Sequence, residues 1–302
     1  MAALISRLFL ILVAAIGPSA AFAAQRTYER QLNAPTGGRL TFSTDVGSVA
    51  VVGHDAPDVV IHAKLHGAQS FLARFHISVE RTSSGVRISA HTAHRDWFDW
   101  FQFTPDRVRF VLEVPRDYPI DLHTSGGNLD VQGLSAPVRG MTEGGGIIVR
   151  NVAGAINMHT SGGSIKAHGL EGPTKLTTSG GGIDVSDSLG DLDLRTSGGD
   201  IRIKNQDGMV YARTSGGSIR AELSGNRGVT LTTSGGGITL LLPQNTRASI
   251  EAQSSGGGVT SDFSLSTVQL STGNHLLGTI GGGGPPIHLH TSGGGIHLAR
   301  EK

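Results

Sequence analysis

A four-residue motif that recurs at a fixed interval restricts the fold of this chain more than any other feature. Thr-Ser-Gly-Gly, or a close variant, begins at positions 124, 142, 160, 178, 196 and 214, and again at 233, 254 and 291. The first six starts are 18 residues apart, and the later intervals are 19, 21 and 37 residues. We interpret the last interval as two coils, one of them degenerate around Ser271-Thr272-Gly273. A regular period of this kind indicates a stacked repeat fold.

Apolar residues occupy fixed columns within each repeat. The positions two before each Thr, and five and seven after it, are apolar, while the positions between them are polar. This alternation indicates short, half-buried strands. A third apolar column contains Val138, Ile156, Leu192 and Val210. Coils stacked at the strand spacing of about 4.8 Å would align residues 18 apart into one core. The sequence therefore predicts an all-β, single-domain parallel β-solenoid with about 18 residues per coil.

Glycine is abundant and is concentrated in the motif. The chain has 45 glycines in 302 residues, about twice the usual share. Because each glycine weakens a helix interior by about 1 kcal/mol, this content disfavours a helical fold. We expect the paired glycines to supply positive φ angles at a corner and to avoid a Cβ clash there. The Thr of the motif is expected to face inward as a stacked hydroxyl ladder.

Residues one period apart should contact each other on the outer faces of the solenoid. Five such pairs carry opposite charges: Asp121 with Arg139, Lys175 with Asp193, Lys166 with Asp184, Asp184 with Arg202, and Lys204 with Glu222. Exposed ion pairs contribute about 0–1 kcal/mol each, so we expect them to favour the register more than to stabilise the fold.

The N-terminus has the pattern of a secretory signal peptide over residues 1–23. A cation at Arg7 precedes a nine-residue apolar run from Leu8 to Ile16 and the small-residue site Ala21-Phe22-Ala23. That run is too short to span a bilayer, which takes about 20 residues. We predict cleavage after Ala23. The mature protein should then be soluble, exported and not transmembrane, in the periplasm, at the cell surface or secreted.

The remaining chain divides into residues 24–118, which hold N-terminal strands and the first coils, and residues 119–302, the regular Thr-Ser-Gly-Gly solenoid. The segment from Thr44 to Pro57 is a variant of the repeat. Between about 60 and 118 the period is broken by longer strands and a short helix, which we interpret as elaborated coils or a cap on the same core. These elements are predicted at Val59 to Leu65, Gln69 to Arg74 (the helix), Phe75 to Arg81, Gly85 to His91 and Val108 to Val114.

Composition and motif spacing exclude several functional classes. The 25 Lys and Arg against 24 Asp and Glu give no basic field of the kind that attracts nucleic acid, so no nucleic-acid partner is expected. The absence of cysteine excludes disulfides, thiol catalysis and cysteine metal sites. Each glycine motif precedes a strand rather than a helix, which disfavours a phosphate cradle. We expect no cofactor.

Metal binding also has little support. Calcium β-rolls need an aspartate in every repeat. The equivalent column here reads Asp130, Ile148, Lys166, Asp184, Arg202 and Arg220. We interpret the histidines as exposed surface residues. The alternative is a weak transition-metal site formed by His288, His290 and His297.

An aromatic segment at residues 94–103 breaks the repeat and holds both tryptophans of the chain. Such a segment can close the open end of a solenoid, which repeat folds require. It can equally protrude as a loop that binds a partner, a glycan or a membrane interface. The candidate partner-binding residues are Trp97, Phe98, Trp100, Phe101 and Phe103.

One acidic cluster is the only place where carboxylates could pair for glycoside hydrolysis, which needs two of them about 5–9.5 Å apart. Its members are Asp184, Asp187, Asp191 and Asp193. The neighbouring Lys166, Lys175 and Arg202 favour a solvated, salt-bridged face over a catalytic pair.

Several motifs together resemble the bacterial putative-adhesin domain family. They are Gly-Gly-x-Leu-x-Phe at Gly37 to Phe42, Val114-Pro115, the serial coils, and the glycine-rich segment at 281–296. The resemblance covers nearly all of the chain after the signal peptide. It implies an exported parallel β-helix of unknown function at the cell envelope, and it supplies no catalytic residues.

We therefore expect a non-enzymatic, adhesin-like interaction module whose partner is a protein or glycan at the cell envelope. Two alternatives stay open. The first is a polysaccharide-active β-helix enzyme that uses the acidic cluster. The second is an envelope-stress accessory protein, because some relatives in the family resemble components of such systems.

Overall fold

The computed structural model describes residues 24–93 and 108–301. Within these ranges the chain forms 27 strands and one helix. In chain order they are β1 Ala24–Asn33, β2 Arg39–Thr44, β3 Ser48–His54, β4 Asp58–Gly67, α1 Gln69–Arg74, β5 Phe75–Thr82, β6 Gly85–Thr92, β7 Val108–Pro115, β8 Ile120–Thr124, β9 Leu129–Leu134, β10 Val138–Thr142, β11 Ile147–Ala153, β12 Ile156–Thr160, β13 Ile165–Glu171, β14 Thr174–Thr178, β15 Ile183–Leu189, β16 Leu192–Arg195, β17 Ile201–Asp207, β18 Val210–Thr214, β19 Ile219–Leu223, β20 Val229–Thr233, β21 Ile238–Leu242, β22 Ala248–Ser254, β23 Val259–Ser261, β24 Thr267–Ser271, β25 His275–Ile280, β26 Pro286–Thr291 and β27 Ile296–Arg300. The long N-terminal strands and the short helix lie where the sequence predicts them.

The strands form two long sheets that face each other. Sheet A has the order β1-β4-β7-β3-β9-β11-β13-β15-β17-β19-β21-β27-β23, and sheet B has the order β24-β25-β22-β26-β20-β18-β16-β14-β12-β10-β8-β2-β6-β5. Each regular coil gives one strand to sheet B, turns at the glycine motif, and gives the next strand to sheet A. Successive coils pair in parallel at an offset of 18 residues, as Thr142 with Thr160 and Ile147 with Ile165. The predicted all-β solenoid is confirmed.

The core lies between the two sheets and is built from the predicted apolar columns. The inward residues of both sheets are fully buried: Leu122, Met158, Leu176 and Leu194 in sheet B, and Ile147, Ile165, Ile183 and Ile201 in sheet A. Burial of such apolar surface contributes about 25 cal/mol per Å². Since no coil covers its own apolar face, this stabilisation requires stacking.

The strands of sheet A bend near their ends, a feature absent from the sequence prediction. Five residues spaced 18 apart have a left-handed backbone, with φ between 51° and 71°: Gly133, Asn151, Gly169, Asp187 and Asn205. These are the residue types that tolerate this conformation. After the bend the next side chain points into the core. This adds an inward column made of Leu134, Val152, Leu170, Ser188 and Gln206, all buried.

The bend ends at β19, which has five residues where β17 has seven. The pairing register between these strands shifts after Ile203, so that Gln206 lies opposite Leu223. Lys204 and Glu222 are therefore not opposite each other, and the prediction of this pair is wrong. The other four charge pairs are direct register partners.

Of the two expected reasons for the motif glycines, positive φ is wrong and the Cβ clash is confirmed. None of the paired glycines of the motif in the described coils has a positive φ. A Cβ on Gly145 would instead lie 2.1 Å from the carbonyl oxygen of Gly127 in the preceding coil, and Gly163 would meet Gly145 at the same distance. The expected Cβ clash is confirmed, but it arises from close stacking of coils. Besides the bend, positive φ occurs at the opposite corner, at Gly154, Gly172, Gly190 and Gly208.

The Thr of the motif faces inward as predicted, but its hydroxyls do not bond to each other. The Oγ1 of Thr142 donates to the Gly127 carbonyl of the preceding coil (2.8 Å) and accepts from the Gly145 N–H of its own corner (3.3 Å). The same pair of bonds recurs at Thr160, Thr178, Thr196, Thr214, Thr233 and Thr291. The result is a ladder between side chain and main chain.

The N-terminal end of the solenoid is closed by β1, α1 and β5. Arg26 and Arg30 of β1 reach from the edge of sheet A to the edge of sheet B. Arg26 donates to the carbonyls of Leu72 and Phe75 (both 2.8 Å), and Arg30 donates to that of Val79 (3.2 Å). Because these arginines occupy main-chain acceptors at the edge of sheet B, they hinder the pairing of a further strand there.

At the other end the coils do not follow the order of the chain. The C-terminal coil, β26 and β27, lies between the coil of β20 and β21 and the coil of β22 and β23. The prediction of a degenerate coil around Ser271-Thr272-Gly273 is wrong. That segment belongs to an antiparallel hairpin of β24 and β25, which pairs with β22.

No helix in the described ranges has both the length and the apolar character that crossing a bilayer would take.

Candidate binding groove

The aromatic segment at 94–103 lies outside the described residues. The candidate residues Trp97, Phe98, Trp100, Phe101 and Phe103 therefore stay a prediction from sequence.

The four carboxylates of the acidic cluster are distributed around one coil. Asp184 lies on the outer face of sheet A and Asp187 at the bend. Asp191 follows Gly190 at the corner opposite the glycine motif, and Asp193 lies on the outer face of sheet B. Each has its own partner: Arg202 for Asp184 (3.6 Å), His168 for Asp187 (3.0 Å), the Met209 N–H for Asp191 (3.0 Å) and Arg195 for Asp193 (2.7 Å). Asp191 and Asp193 line one surface pocket on sheet B, whereas Asp184 lies on sheet A. The use of this cluster for hydrolysis stays a prediction.

The three C-terminal histidines are also separated. His288 and His290 extend from β26 of sheet B, and His297 extends from β27 of sheet A. His288 lies 3.2 Å from a Glu251 carboxylate oxygen, and His297 lies 3.7 Å from one of Asp262. Residues 24–93 and 108–301 contain no group of three or more potential ligands close enough to hold a metal ion.

Basic side chains instead collect in one groove on the outer face of sheet A. In these strands the odd positions Ile147, Val149, Ile165 and Ala167 are buried, so the even positions point outward. The outward positions of β11, β13, β15, β17 and β19 line this groove, and basic residues there outnumber the two carboxylates, Asp184 and Glu222. We call this site the basic groove, defined by Arg150, Lys166, His168, Arg202, Lys204 and Arg220.

The register places these side chains in two rows across neighbouring strands. The first row runs Lys166, Asp184, Arg202 and Arg220, and the second runs Arg150, His168, Ser186 and Lys204. Neighbouring strands lie about 4.8 Å apart, so each row repeats at that spacing. The groove thus presents charge in a line along the long axis of the solenoid.

Carboxylates neutralise part of the groove. Arg150 donates to Asp130 (2.7 Å), and Arg202 lies between Asp200 (2.7 Å) and Asp184 (3.6 Å). His168 contacts Asp187 as described above. These partners hold one side of the groove in place and reduce its charge.

Three exposed cations of the groove, Lys166, Lys204 and Arg220, form no ion pair with any described residue. Arg220 is also the direct register partner of Arg202. Like charges directly opposite each other destabilise a sheet. A bound anion would relieve this repulsion, and arginine and lysine both form charge-assisted hydrogen bonds to anionic oxygens.

The 18-residue period predicts Lys166, Asp184, Arg202 and Arg220 in one column, but it does not by itself predict the groove. The calcium-site argument depends only on the aspartates of that column and not on its cations. A count of cations over both outward columns of the predicted strands would have found the cluster.

Almost the whole solenoid matches a known protein family. The family model Toastrack DUF4097 matches residues 47–299. The chain belongs to the Toastrack DUF4097 family. The resemblance to the putative-adhesin domain family is thereby confirmed. No curated protein matches this Toastrack chain.

Solved structures similar to the Toastrack chain at low sequence identity include three from Parabacteroides and Bacteroides. A putative adhesin from Parabacteroides merdae is 8% identical, with a TM-score of 0.42, and covers 92% of this chain and 97% of its own. A putative adhesin from Bacteroides fragilis is 10% identical, with a TM-score of 0.40 and coverages of 91% and 97%. A putative lipid binding protein from Parabacteroides distasonis is 12% identical, with a TM-score of 0.39 and the same coverages.

Proposed function

We propose that this protein is an exported, non-enzymatic interaction module of the cell envelope that binds an acidic glycan along the basic groove. The observation that carries the proposal is the set of three unpaired cations, Lys166, Lys204 and Arg220, on one face of four successive coils. The adhesin-like character expected from the family resemblance fits a module of this kind.

An extended ligand suits the groove better than a compact one. The cations lie on β13, β17 and β19, within four neighbouring strands spaced about 4.8 Å apart, so a flexible polymer that runs across these strands can contact all three. A single small anion would reach only one or two of them.

An acidic glycan suits the charge balance better than nucleic acid. The formal net charge of the whole chain is +1, and carboxylates lie between the basic residues of the groove. Nucleic-acid binding draws on a dense field of phosphate contacts, which such a mixed surface does not supply. A glycan with spaced carboxylates can be held by spaced cations.

Binding to polygalacturonate, with neutral dextran as the comparison, tests the proposal by isothermal titration at low salt. We expect heat of binding with polygalacturonate and none with dextran. The triple variant Lys166→Ser, Lys204→Ser and Arg220→Ser should weaken binding at least about tenfold, which corresponds to about 1.4 kcal/mol. Added salt should weaken it as well, because exposed charges are screened.

A matched control variant removes three cations from the opposite face. Arg139→Ser, Lys175→Ser and Arg213→Ser changes the net charge by the same amount on sheet B, and it should bind like the unmodified protein. Equal loss in both variants would mean that only net charge matters and would overturn the assignment of the groove. Preference for dextran, or no binding to either polymer, would also overturn it.

The same samples test the absence of catalysis. No reducing ends should be released from either polysaccharide during prolonged incubation. Release that is abolished by Asp184→Asn or Asp193→Asn would instead support the hydrolytic alternative.

Export has its own test. Sequencing of the N-terminus of protein recovered outside the cytoplasm should begin at Ala24. A chain that still begins at Met1 would contradict both the signal peptide and the proposed location.

A further inference from the structure

The strand β24 is the outermost strand of sheet B at the C-terminal end of the solenoid. It pairs with β25 on one side, and no described strand pairs with its other side. Its edge therefore presents main-chain donors and acceptors that a further strand can use.

This strand is exposed on both faces as well as at its edge. The residues from Ser266 to Leu270 are all exposed, with Val268 at 56% and Leu270 at 39%. Most strands of the solenoid have a fully buried face, which stabilises them. Since the core of this chain covers neither Val268 nor Leu270, apolar surface remains for another molecule to cover.

The surrounding sequence carries no charge that would oppose self-association. No Asp, Glu, Lys or Arg occurs from Phe263 to Ala299. Natural edge strands are usually protected by charges, especially lysine, or by proline. β24 has neither, so two copies of it can approach without repulsion, and it offers nothing for a charged partner to recognise.

The other three outermost strands of the two described sheets are protected by charge, by bound side chains or by their shortness: β1, at the N-terminal end of sheet A, carries the charges of Arg26, Glu29 and Arg30. At the N-terminal end, Arg26 and Arg30 occupy carbonyls of α1 and β5. At the C-terminal end of sheet A, β23 has only three residues, and its first N–H donates to the carbonyl of Gly273 (2.9 Å). A head-to-tail stack would have to displace the two arginines. Pairing of β24 with itself displaces nothing.

We propose that two copies of this protein associate through β24, which pairs antiparallel with the β24 of the second copy about a two-fold axis. The interface continues sheet B from one copy into the next and covers Val268 and Leu270. An isologous contact of this kind closes on itself and stops at a dimer. The inference is independent of the glycan proposal, although a dimer would present two basic grooves to one polymer.

Sedimentation equilibrium of the purified protein tests this association. The unmodified protein should have twice the mass of one chain, and Val268→Lys with Leu270→Lys should have the mass of one chain with an unchanged circular dichroism spectrum and melting temperature. The control Met141→Lys with Leu189→Lys adds the same charge at two other exposed apolar residues, in the middle of the solenoid, and should remain dimeric. A monomeric unmodified protein at its highest soluble concentration would overturn the proposal, as would a dimer in the β24 variant.

Single cysteines then locate the contact, since the natural chain has none. Opposed residues of an antiparallel pair have Cα atoms about 4.5–5.5 Å apart, within the range of a disulfide. Cysteine at one or more of positions 267–270 should give a disulfide-linked dimer under mild oxidation, whereas Leu189→Cys should not. If only a chain with one cysteine in β24 and a second in β5 were linked, the contact would be head-to-tail and the two-fold dimer would be wrong.

Discussion

The hydroxyl of Thr178 donates to the main-chain carbonyl of Gly163, 15 residues earlier and one coil away, at 2.7 Å. The same oxygen accepts from the N–H of Gly181 in its own corner at 3.3 Å. One buried side chain thus satisfies a donor of its own coil and an acceptor of the preceding coil. These bonds explain the Thr of the motif, whereas the glycine is needed because a Cβ on Gly181 would lie 2.2 Å from the Gly163 carbonyl oxygen.

Replacement of Thr178 by Val should lower the free energy of unfolding by about 1–3 kcal/mol. Val keeps the shape of Thr but leaves the Gly163 carbonyl and the Gly181 N–H without this partner, and buried unsatisfied groups are costly. Urea denaturation followed by circular dichroism measures the change. Thr178→Ser, which keeps the hydroxyl, should recover most of the loss.

The adjacent Thr177 provides the control, because it points outward and is only half-buried. Thr177→Val should change stability by less than about 0.5 kcal/mol, as for other surface substitutions. Similar losses at 177 and 178 would contradict a structural role for the ladder.

The two glycines of one motif should respond very differently to alanine. A Cβ on Gly127 would lie 1.9 Å from the carbonyl oxygen of Gly47, whereas a Cβ on Gly126 meets nothing within 4 Å. Neither has a positive φ. Gly127→Ala should therefore lower the melting temperature strongly or prevent folding, and Gly126→Ala should be neutral. Tolerance of alanine at Gly127 would mean that the coils can separate there.

Much of the fold follows from the sequence because the repeat reports the register directly. Equal intervals fix which residues stack, and alternation fixes which of them face the core, so the columns of Ile147 and Leu122 were predictable. The bend was missed because its column mixes Gly, Asn and Asp, which share a backbone conformation and no hydrophobicity. The inserted C-terminal coil was missed because an interval cannot reveal that chain order and spatial order differ.

The candidate site was harder to predict for a related reason. Outward residues such as Lys166 and Arg220 are free to vary from coil to coil, so no period marks them. The proposed binding depends on those cations of the groove that have no carboxylate within ion-pair distance. Whether a carboxylate comes within that distance depends on the side-chain conformations, which the repeat does not specify. Asp193, for example, pairs with Arg195 of its own strand rather than with Lys175 of the preceding coil.

Removal of the Ser188 hydroxyl should stabilise the protein. Ser188 is 1% exposed, lies in the column of Leu170 and Val152, and its Oγ has no hydrogen-bond partner. An unsatisfied buried polar group costs about 1–3 kcal/mol. We expect Ser188→Ala to raise the free energy of unfolding by about 1 kcal/mol in urea denaturation. Ser186→Ala, on the outer face, should have no comparable effect, and destabilisation by Ser188→Ala would show that the hydroxyl is engaged after all.

The Asp207 carboxylate should titrate at lower pH than an ordinary aspartate. A hydrogen bond from Arg227 lowers the pKa of Asp207, with the charge of Arg227 adding to the effect. A lowered pKa in the folded state means that the pair stabilises the protein at neutral pH and that this contribution is lost as the pH falls through that pKa. Carboxyl NMR titration should show the pKa of Asp207 rising toward its usual value in Arg227→Gln. It should stay low in the control Arg213→Gln, and an identical pKa in all three proteins would contradict the pair.

The C-terminal coil should be among the more protected parts of the chain despite its position near the C-terminus. β26 pairs in parallel with both β20 and β22, and β27 pairs with both β21 and β23. Opening this coil would break two strand interfaces and expose Ile287 and Ile296, which are at most 1% exposed. Native-state hydrogen exchange should therefore show amides of Leu289 and Leu298 as slow as that of Leu231 in β20, since local opening free energy follows buried contacts. A coil at a free end would fray, so exchange of Leu289 and Leu298 within minutes would contradict the inserted topology.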